Sequence, residues 1–210
     1  KVVTPEYVMD KSTKLETIYD RIHLIEMRVE VLLRDQEIAY LKACLDAQQQ
    51  GHEIDDLTTQ YQKNIEEIKA DLEFLQQVNV GGEFMTDEYI SQTHSIAKRQ
   101  LIDMSGKTVP LLSEEELVNI NIRKGTLNDG ERKVINHHIV ATINMLESLP
   151  FPKHLKNVPE YAGGHHEKMD GTGYPKGLKK EEMSIQTRIM AIADIFEALT
   201  ASDRPYKKGK

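Results

Sequence analysis

Residues 15–32 read LETIYDRIHLIEMRVEVL, and an apolar side chain recurs there at every third or fourth position. This spacing is the heptad pattern of an α-helix that packs against another helix. Thr4 and Pro5 predict where the helix begins, because threonine is a favoured N-cap and proline fits the first helical position. The apolar positions of this first seam are Leu15, Ile18, Ile22, Ile25, Val29 and Leu32. The segment therefore predicts a long amphipathic helix.

A second apolar seam follows after a short polar stretch that ends at Gly51. Glycine commonly terminates a helix, so Gly51 predicts a break between two helices. The second seam consists of Ile54, Leu57, Tyr61, Ile65, Ile68, Leu72 and Leu75. Two arrangements would bury both seams: an antiparallel helical hairpin, or a longer coiled coil shared with a partner chain.

Gly81-Gly82 interrupts the helical pattern. We place a domain boundary there, between a helical hairpin of residues 1–82 and a second domain of residues 83–210. Helix-start signals recur in the second domain, and no segment alternates as a β-strand does, so the predicted fold class is all-α. The predicted helices run from Asp87 to about Ile102, from Ser113 onward, from the turn at 125–130 to Pro150, from Pro159 to His166, and from Ile185 to about Ala201.

The composition narrows the classes of protein that fit. The 210 residues include 27 basic and 34 acidic side chains, a net charge of −7, which argues against binding to duplex nucleic acid. No apolar run approaches the roughly 18 residues that span a membrane. The single cysteine, Cys44, cannot form an internal disulfide, which favours a reducing compartment. We therefore expect a cytoplasmic protein.

Three features of the second domain could form a site. His165 and His166 are adjacent and precede a carboxylate and a glycine-rich stretch, and His138 lies on the apolar face of another helix. Asp194 lies inside an apolar helix, where we expect it to be buried and to contact a metal or these histidines. Each feature also has a structural explanation without a site. His165 and His166 could be exposed at a helix end, Asp194 could form a structural ion pair or hydrogen bond, and His138 could be a hydrogen-bonded core histidine. Imidazole and carboxylate groups together suit iron, manganese or zinc rather than calcium, and helical folds build such sites between facing helices.

Residues 165–175, HHEKMDGTGYP, resemble the HHExxDGxGYP signature of the HD-GYP family and match all eight of its fixed positions. Residues 193–200, followed by 204–207, resemble the family's aspartate-bearing helix and the basic loop after it. Residues 127–131, followed by His138, resemble the helix that supplies a single metal-binding histidine. The resemblance covers about residues 100–210. It implies an HD-domain-like helical bundle of the metal-dependent phosphohydrolase superfamily.

The family hydrolyses cyclic dinucleotides, typically cyclic di-GMP, in bacterial signal transduction. The resemblance implies a divalent transition metal, with iron or manganese favoured over zinc, and a cyclic dinucleotide as the ligand. A homodimer through the coiled coil and an upstream sensor domain are the protein partners that we expect. The residues implied as metal ligands are His138, His165, His166 and Asp194, and those implied to contact the substrate are Tyr174, Arg204 and Lys207.

One part of the family pattern is missing. The family's His-Asp pair, followed closely by Gly-Lys, does not occur, and residues 103–107 (DMSGK) resemble its remnant. Met104 stands where the bridging aspartate belongs, and a thioether is a poor ligand for hard or borderline metals. We therefore expect a degenerate member with an incomplete metal centre, truncated at its C-terminus. Three functions stay open: a phosphodiesterase with a reduced centre, an inactive cyclic-dinucleotide receptor, and a coiled-coil dimerisation and signal-relay module.

Overall fold

The structure is a computed structural model that describes residues 4–81 and 84–200. In that part of the chain eight α-helices account for almost all regular structure, and two very short strands form the one sheet, so the all-α prediction is confirmed. None of these helices is long and apolar enough to cross a membrane. The elements are α1 (Glu6–Met9), α2 (Ile22–Gln50), α3 (Asp55–Asn79), α4 (Asp87–Ala97), β1 (Gln100–Ile102), β2 (Thr108–Pro110), α5 (Glu114–Ile120), α6 (Asp129–Glu147), α7 (Val158–Gly163) and α8 (Ile185–Thr200).

The contacts divide the described chain into two compact units. One comprises residues 11–81 and 84–128, and the other comprises residues 4–10 and 129–200. The first contains the long helices α2 and α3, and the second contains the segment that resembles the HD-GYP signature. The domain boundary that we place between residues 82 and 83, at the Gly81-Gly82 break, stays a prediction.

Helices α2 and α3 fold back on each other as an antiparallel hairpin, as the two seams predict. Gly51 ends α2 in the left-handed conformation, at φ 72°. Near the turn, the rings of Tyr40 and Tyr61 stack with centroids 4.4 Å apart. At the other end, Gln76 Nε2 donates to Glu26 Oε1 at 2.7 Å. The buried residues that the two helices contribute to the core include Ile22, Ile25, Val29, Leu32, Ile68, Leu75 and Val78.

The start of the first long helix differs from the prediction. Helix α2 begins at Ile22 rather than near Pro5, and Ile18 is 90% exposed although Leu15 is buried. Side chains of the intervening segment bind its backbone, which offers an alternative to helical hydrogen bonds. The Glu16 carboxylate accepts from two backbone N–H groups at 2.6 and 3.1 Å, and Asp20 Oδ1 accepts from the N–H of Ile22 at 2.9 Å.

Helix α4 is shorter than predicted, and the loop after it contains a β-hairpin. Thr86 caps α4 as expected by accepting from the N–H of Tyr89 at 3.3 Å, but the helix ends at Ala97. Strands β1 and β2 then pair in an antiparallel register that joins Leu101 to Val109. Gly106 takes φ 80° in the connecting turn, where a residue with a β-carbon would be strained. The pairing is only three residues long, so its alternation is too brief to be recognised in the sequence.

In the second unit α6 packs against α7, and α7 packs against α8. Glycines permit both approaches: a β-carbon on Gly163 would lie 2.5 Å from a side-chain carbon of Ile143, and one on Gly164 would lie 2.3 Å from the Thr187 methyl group. The predicted apolar stripe of α6 is only partly buried. Ile139 is fully buried, whereas Met145 is 60% exposed, because the stripe is wider than the face that its neighbours cover.

Candidate metal centre

Three histidines, one on α6 and two just after α7, converge in the second unit. His138 lies in the middle of α6, and His165 and His166 directly follow α7. Each offers one ring nitrogen, and the three nitrogens lie within 4.8 Å of one another. The ring centroids of His138 and His166 are 5.3 Å apart. Nitrogen atoms at this separation can share one or more metal ions.

Backbone carbonyl groups orient two of these rings. His138 Nδ1 contacts the carbonyl of Ile135, and His165 Nδ1 lies 2.6 Å from the carbonyl oxygen of Ala162. A ring nitrogen that faces a carbonyl oxygen carries its hydrogen, which leaves Nε2 with the free lone pair. Metal-binding histidines in proteins are commonly oriented in this way.

Asp194 on α8 faces the cluster but is not buried as expected. Its Oδ2 lies 3.6 Å from His166 Nδ1, yet its side chain is 40% exposed. The expectation of burial rested on the apolar residues around it, but Ile192, Ile195 and Phe196 are themselves exposed. Asp194 therefore contributes a partly solvated carboxylate at the edge of the histidine cluster.

The surroundings of His166 keep its imidazole neutral. Burial lowers its pKa, the neighbouring His165 and His138 lower it further, and only Asp194 acts in the opposite direction. A neutral imidazole has the lone pair that a metal needs, whereas a protonated one does not. The electrostatics of the cluster thus favour the form of His166 that can act as a ligand.

Tyr174 covers one side of the cluster. Its ring stacks on His166 with centroids 4.9 Å apart and planes inclined by 28°. Burial raises the pKa of the Tyr174 hydroxyl, and the charge of Asp194 raises it further, so the phenol stays protonated at neutral pH. Arg204 and Lys207, the other residues implied to contact the substrate, lie outside the described residues.

Glu167 has a structural role that the sequence did not reveal. Its side chain is buried and accepts hydrogen bonds from the N–H groups of Lys176 at 2.6 Å and Leu178 at 2.8 Å. These two bonds close the loop that follows the histidines. Gly173 lies so near the backbone that a β-carbon there would come within 2.3 Å of the Lys168 nitrogen. Glutamate and glycine are fixed positions of the signature, and this was the one indication in the sequence that the loop is closed in this way.

The segment that resembles the missing His-Asp pair is the turn of the β-hairpin in the first unit. Asp103 Oδ1 accepts from the Ser105 hydroxyl at 2.7 Å and from the N–H groups of Lys107 at 2.9 Å and Ser105 at 2.8 Å. These hydrogen bonds lower the pKa of Asp103 and hold the turn. The neighbouring Met104 side chain is fully exposed. In the described residues this segment therefore has the contacts of an ordinary turn.

Comparison with known proteins agrees with the geometry of the cluster. A family model described as HD domain matches residues 84–210, which is more than half of the chain. The chain belongs to the HD domain family. Its relatives place it among HD domains of the HD-GYP type. The HD domain family is metal-dependent, and the three converging histidines fit such a centre.

Three relatives illustrate the likeness of this HD domain to known enzymes. A cyclic di-GMP phosphodiesterase of Pseudomonas aeruginosa is 58% identical over 87 residues, which are 41% of this chain and 20% of the relative. A 3'3'-cGAMP-specific phosphodiesterase of Vibrio cholerae is 44% identical over 86 residues, 40% of this chain and 18% of the relative. A probable cyclic di-GMP phosphodiesterase of the same species is 32% identical over 131 residues, 59% of this chain and 29% of the relative. The matched part of the chain thus spans less than a third of each of these relatives.

Proposed function

We propose that this HD domain is a metal-dependent phosphohydrolase that acts in cyclic dinucleotide signalling, with cyclic di-GMP as its first candidate substrate. The observation that carries the proposal is the cluster of His138, His165 and His166, with their ring nitrogens within 4.8 Å and Asp194 at its edge. The names of the relatives support the substrate class, since they act on cyclic di-GMP or 3'3'-cGAMP.

The donor set of this cluster suits a divalent transition metal. Three imidazole nitrogens and one carboxylate favour iron or manganese, with zinc as the next candidate. Such a metal lowers the pKa of a bound water and neutralises charge on a phosphoryl group. His138 and His165 would bind it through Nε2, and His166 would do so in its neutral form.

The remaining implied residues would position the substrate. The half-buried ring of Tyr174, which stacks on His166, would offer a surface for a nucleobase, since nucleobases stack on aromatic side chains. Arg204 presents a planar fork that matches a phosphate, and Lys207 presents a single positive charge. We assign the two basic residues to the substrate phosphates.

The metal centre that we propose is incomplete. No His-Asp pair occurs in the sequence, and a methionine stands at the position of the bridging aspartate. We therefore infer that the domain binds fewer metal ions than a complete HD-GYP centre. The cytoplasm, where signalling nucleotides are found, is the compartment that this function requires.

Two other functions rest on specific features. The missing pair favours a catalytically inactive receptor that binds the dinucleotide without cleaving it. The long α2–α3 hairpin favours a coiled-coil dimerisation and signal-relay module, coupled to an upstream sensor domain. These functions differ from the enzyme in measurable ways, because the receptor binds without turnover and the relay module does neither.

One experiment separates the three functions. The purified chain is analysed for its metals and then assayed for both binding and turnover of cyclic di-GMP. Turnover that the His166→Ala variant loses and the His137→Ala variant keeps would support the phosphohydrolase. Tight binding with no turnover would favour the receptor, and no binding would favour the relay module. Two or more tightly held transition metal ions per chain would contradict the incomplete centre.

A further inference from the structure

Glu167 holds the signature loop, residues 167–178, at points close to Tyr174. Its carboxylate is 4% exposed, and each oxygen accepts a backbone N–H group, Oε1 from Lys176 at 2.6 Å and Oε2 from Leu178 at 2.8 Å. Hydrogen bonds to a charged carboxylate are stronger than those between neutral groups, and burial excludes the water that would compete for the two N–H groups. Glu167 therefore fixes the backbone two and four residues after Tyr174.

The backbone itself holds the chain on the other side of Tyr174. The Tyr174 N–H donates to the carbonyl of His166 at 3.3 Å, and Gly173 packs against the two residues that follow this histidine. A β-carbon on Gly173 would lie 2.3 Å from the Lys168 nitrogen and 2.5 Å from the Glu167 Cα, so only glycine permits this approach. Tyr174 is thus held between the His166 carbonyl and the two N–H groups that Glu167 binds, and its ring stacks on His166.

Two other carboxylates bind the backbone in and just after this loop, but both are exposed. Asp170 Oδ1 accepts from the Thr172 hydroxyl at 2.7 Å and from its N–H at 2.9 Å, and Glu182 Oε2 accepts from the N–H of Lys179 at 2.8 Å. Water competes for such exposed groups, so each of these bonds contributes little to stability. Of the three carboxylates only Glu167 is buried, and the exposed Glu182 therefore serves as a control.

We propose that Glu167 is a positioning residue for the nucleotide. By holding the loop backbone, it keeps the Tyr174 ring against His166, where a nucleobase would stack. The nucleotide part rests on the proposed function, whereas the coupling of Glu167 to Tyr174 does not. Since both oxygens of Glu167 accept from the loop backbone, its role is to shape the nucleobase surface. Loss of this carboxylate should therefore weaken nucleotide binding and leave metal binding unchanged.

The first test follows the His166 ring by NMR, in the full chain with zinc added as a diamagnetic metal. The ring current of the stacked Tyr174 should shift the His166 ring protons upfield, and Tyr174→Leu should remove that shift. Glu167→Gln replaces one acceptor oxygen by an NH2 group, which cannot accept an N–H, so it should remove at least half of the shift. Glu182→Gln should keep the full shift. An unchanged shift in Glu167→Gln would overturn the proposal.

The second test measures the dissociation constant for cyclic di-GMP together with the zinc content of each variant. Glu167→Gln should raise this constant at least fivefold at unchanged metal content, and Glu182→Gln should change neither. In the Tyr174→Leu background Glu167→Gln should have little further effect, because residues that act through one group are not additive. Loss of metal in Glu167→Gln, or additive effects in the double variant, would contradict the positioning role. A wild type that does not bind cyclic di-GMP would instead contradict the proposed function, and the NMR test would then decide the coupling alone.

Gly173→Ala opens the same loop without changing the carboxylate, and it decides the matter if Glu167→Gln does not fold. The added β-carbon must move away from the Lys168 nitrogen, which displaces the neighbouring Tyr174. We expect the upfield shift of the His166 protons to fall and the dissociation constant for cyclic di-GMP to rise at least fivefold. Circular dichroism should show that the helices are kept. A folded Gly173→Ala variant with an unchanged shift would show that loop closure does not hold the Tyr174 ring, and it would overturn the proposal.

Discussion

At the scale of single residues, the candidate centre depends on which histidines face one another. His138 and His137 are neighbours in the sequence, but their side chains point about 100° apart around α6. The His138 ring lies in the cluster, and the His137 side chain is exposed. Adjacent histidines on one helix therefore differ in their access to a shared metal.

This difference predicts the metal content of two variants. His166→Ala removes a ring nitrogen of the cluster, so the metal bound per chain should fall at least tenfold at limiting metal concentration. His137→Ala removes an exposed imidazole and should leave the metal content unchanged. Elemental analysis after dialysis measures both. Equal losses in the two variants would show that the three-histidine cluster is not the metal site.

A second residue-scale prediction concerns Lys14, which is fully buried and donates from Nζ to the carbonyl of Ile120 at 3.1 Å. Burial lowers the pKa of Lys14 from 10.5 to about 8. The unfolded chain then binds this proton more tightly than the folded chain, so the stability of the fold rises with pH between about 8 and 10.5. The contribution amounts to at most about 3 kcal/mol.

Urea unfolding of the wild type and of Lys14→Met at pH 7.5 and pH 10 tests this effect. The wild type should gain stability relative to Lys14→Met between pH 7.5 and pH 10, since the methionine side chain does not titrate. Lys63→Met, at an exposed position of α3, serves as the control and should show no such change. If wild type and Lys14→Met keep a constant difference in stability, the Lys14 ammonium is not desolvated in the folded protein.

At the scale of elements, the hairpin and the signature loop are held by separate sets of contacts. The hairpin depends on buried aliphatic side chains such as Ile25 and Ile68, which are 0% and 2% exposed. The loop depends on hydrogen bonds to the Glu167 carboxylate and on the close approach at Gly173. A substitution that unfolds one of these elements therefore need not unfold the other.

Ile25→Asp should unfold the hairpin and leave the loop formed. A carboxylate at this position has no partner among the surrounding aliphatic side chains, and the substitution should cost about 4 kcal/mol. Ile18→Asp is the control, because Ile18 is exposed. Hydrogen exchange followed by mass spectrometry should show lost protection in α2 and α3 and unchanged protection at residues 165–178. Loss of protection in both regions would show that the loop depends on the hairpin.

At the scale of the whole molecule, all described candidate ligands belong to one unit. His138, His165, His166 and Asp194 lie within residues 129–200, and the hairpin belongs to the other unit. A metal that binds the folded state stabilises the structure that supplies its ligands. Metal binding should therefore stabilise residues 129–200 and leave the hairpin unchanged.

Hydrogen exchange with and without manganese tests this expectation. Added metal should slow exchange in α6, α7 and the start of the signature loop, and it should leave exchange in α2 and α3 unchanged. The His166→Ala variant should show no metal-dependent protection in either unit. Equal protection of α2 and α3 would mean that the metal binds elsewhere or that the two units respond together.

Local patterns in the sequence were enough to predict much of this protein. The apolar seams predicted α2 and α3, Gly51 predicted the turn between them, and Ser113 predicted the start of α5 through a capping box that the structure contains. These features depend on residues a few positions apart, and helical spacing and capping act over that range. The signature at residues 165–175 likewise indicated the family and the histidines that converge.

Other features depend on residues that are distant in the sequence, and only the tertiary structure decided them. Helix α2 begins late because Asp20 binds Asn79, 59 positions away, as well as the helix start. The exposure of Asp194 depends on how far α7 covers α8, and the exposure of Ile38 and Leu41 on α2 depends on which face of that helix α3 occupies. A periodic sequence specifies that a helix has an apolar face, whereas the packing of distant elements determines which of its faces remain open to solvent.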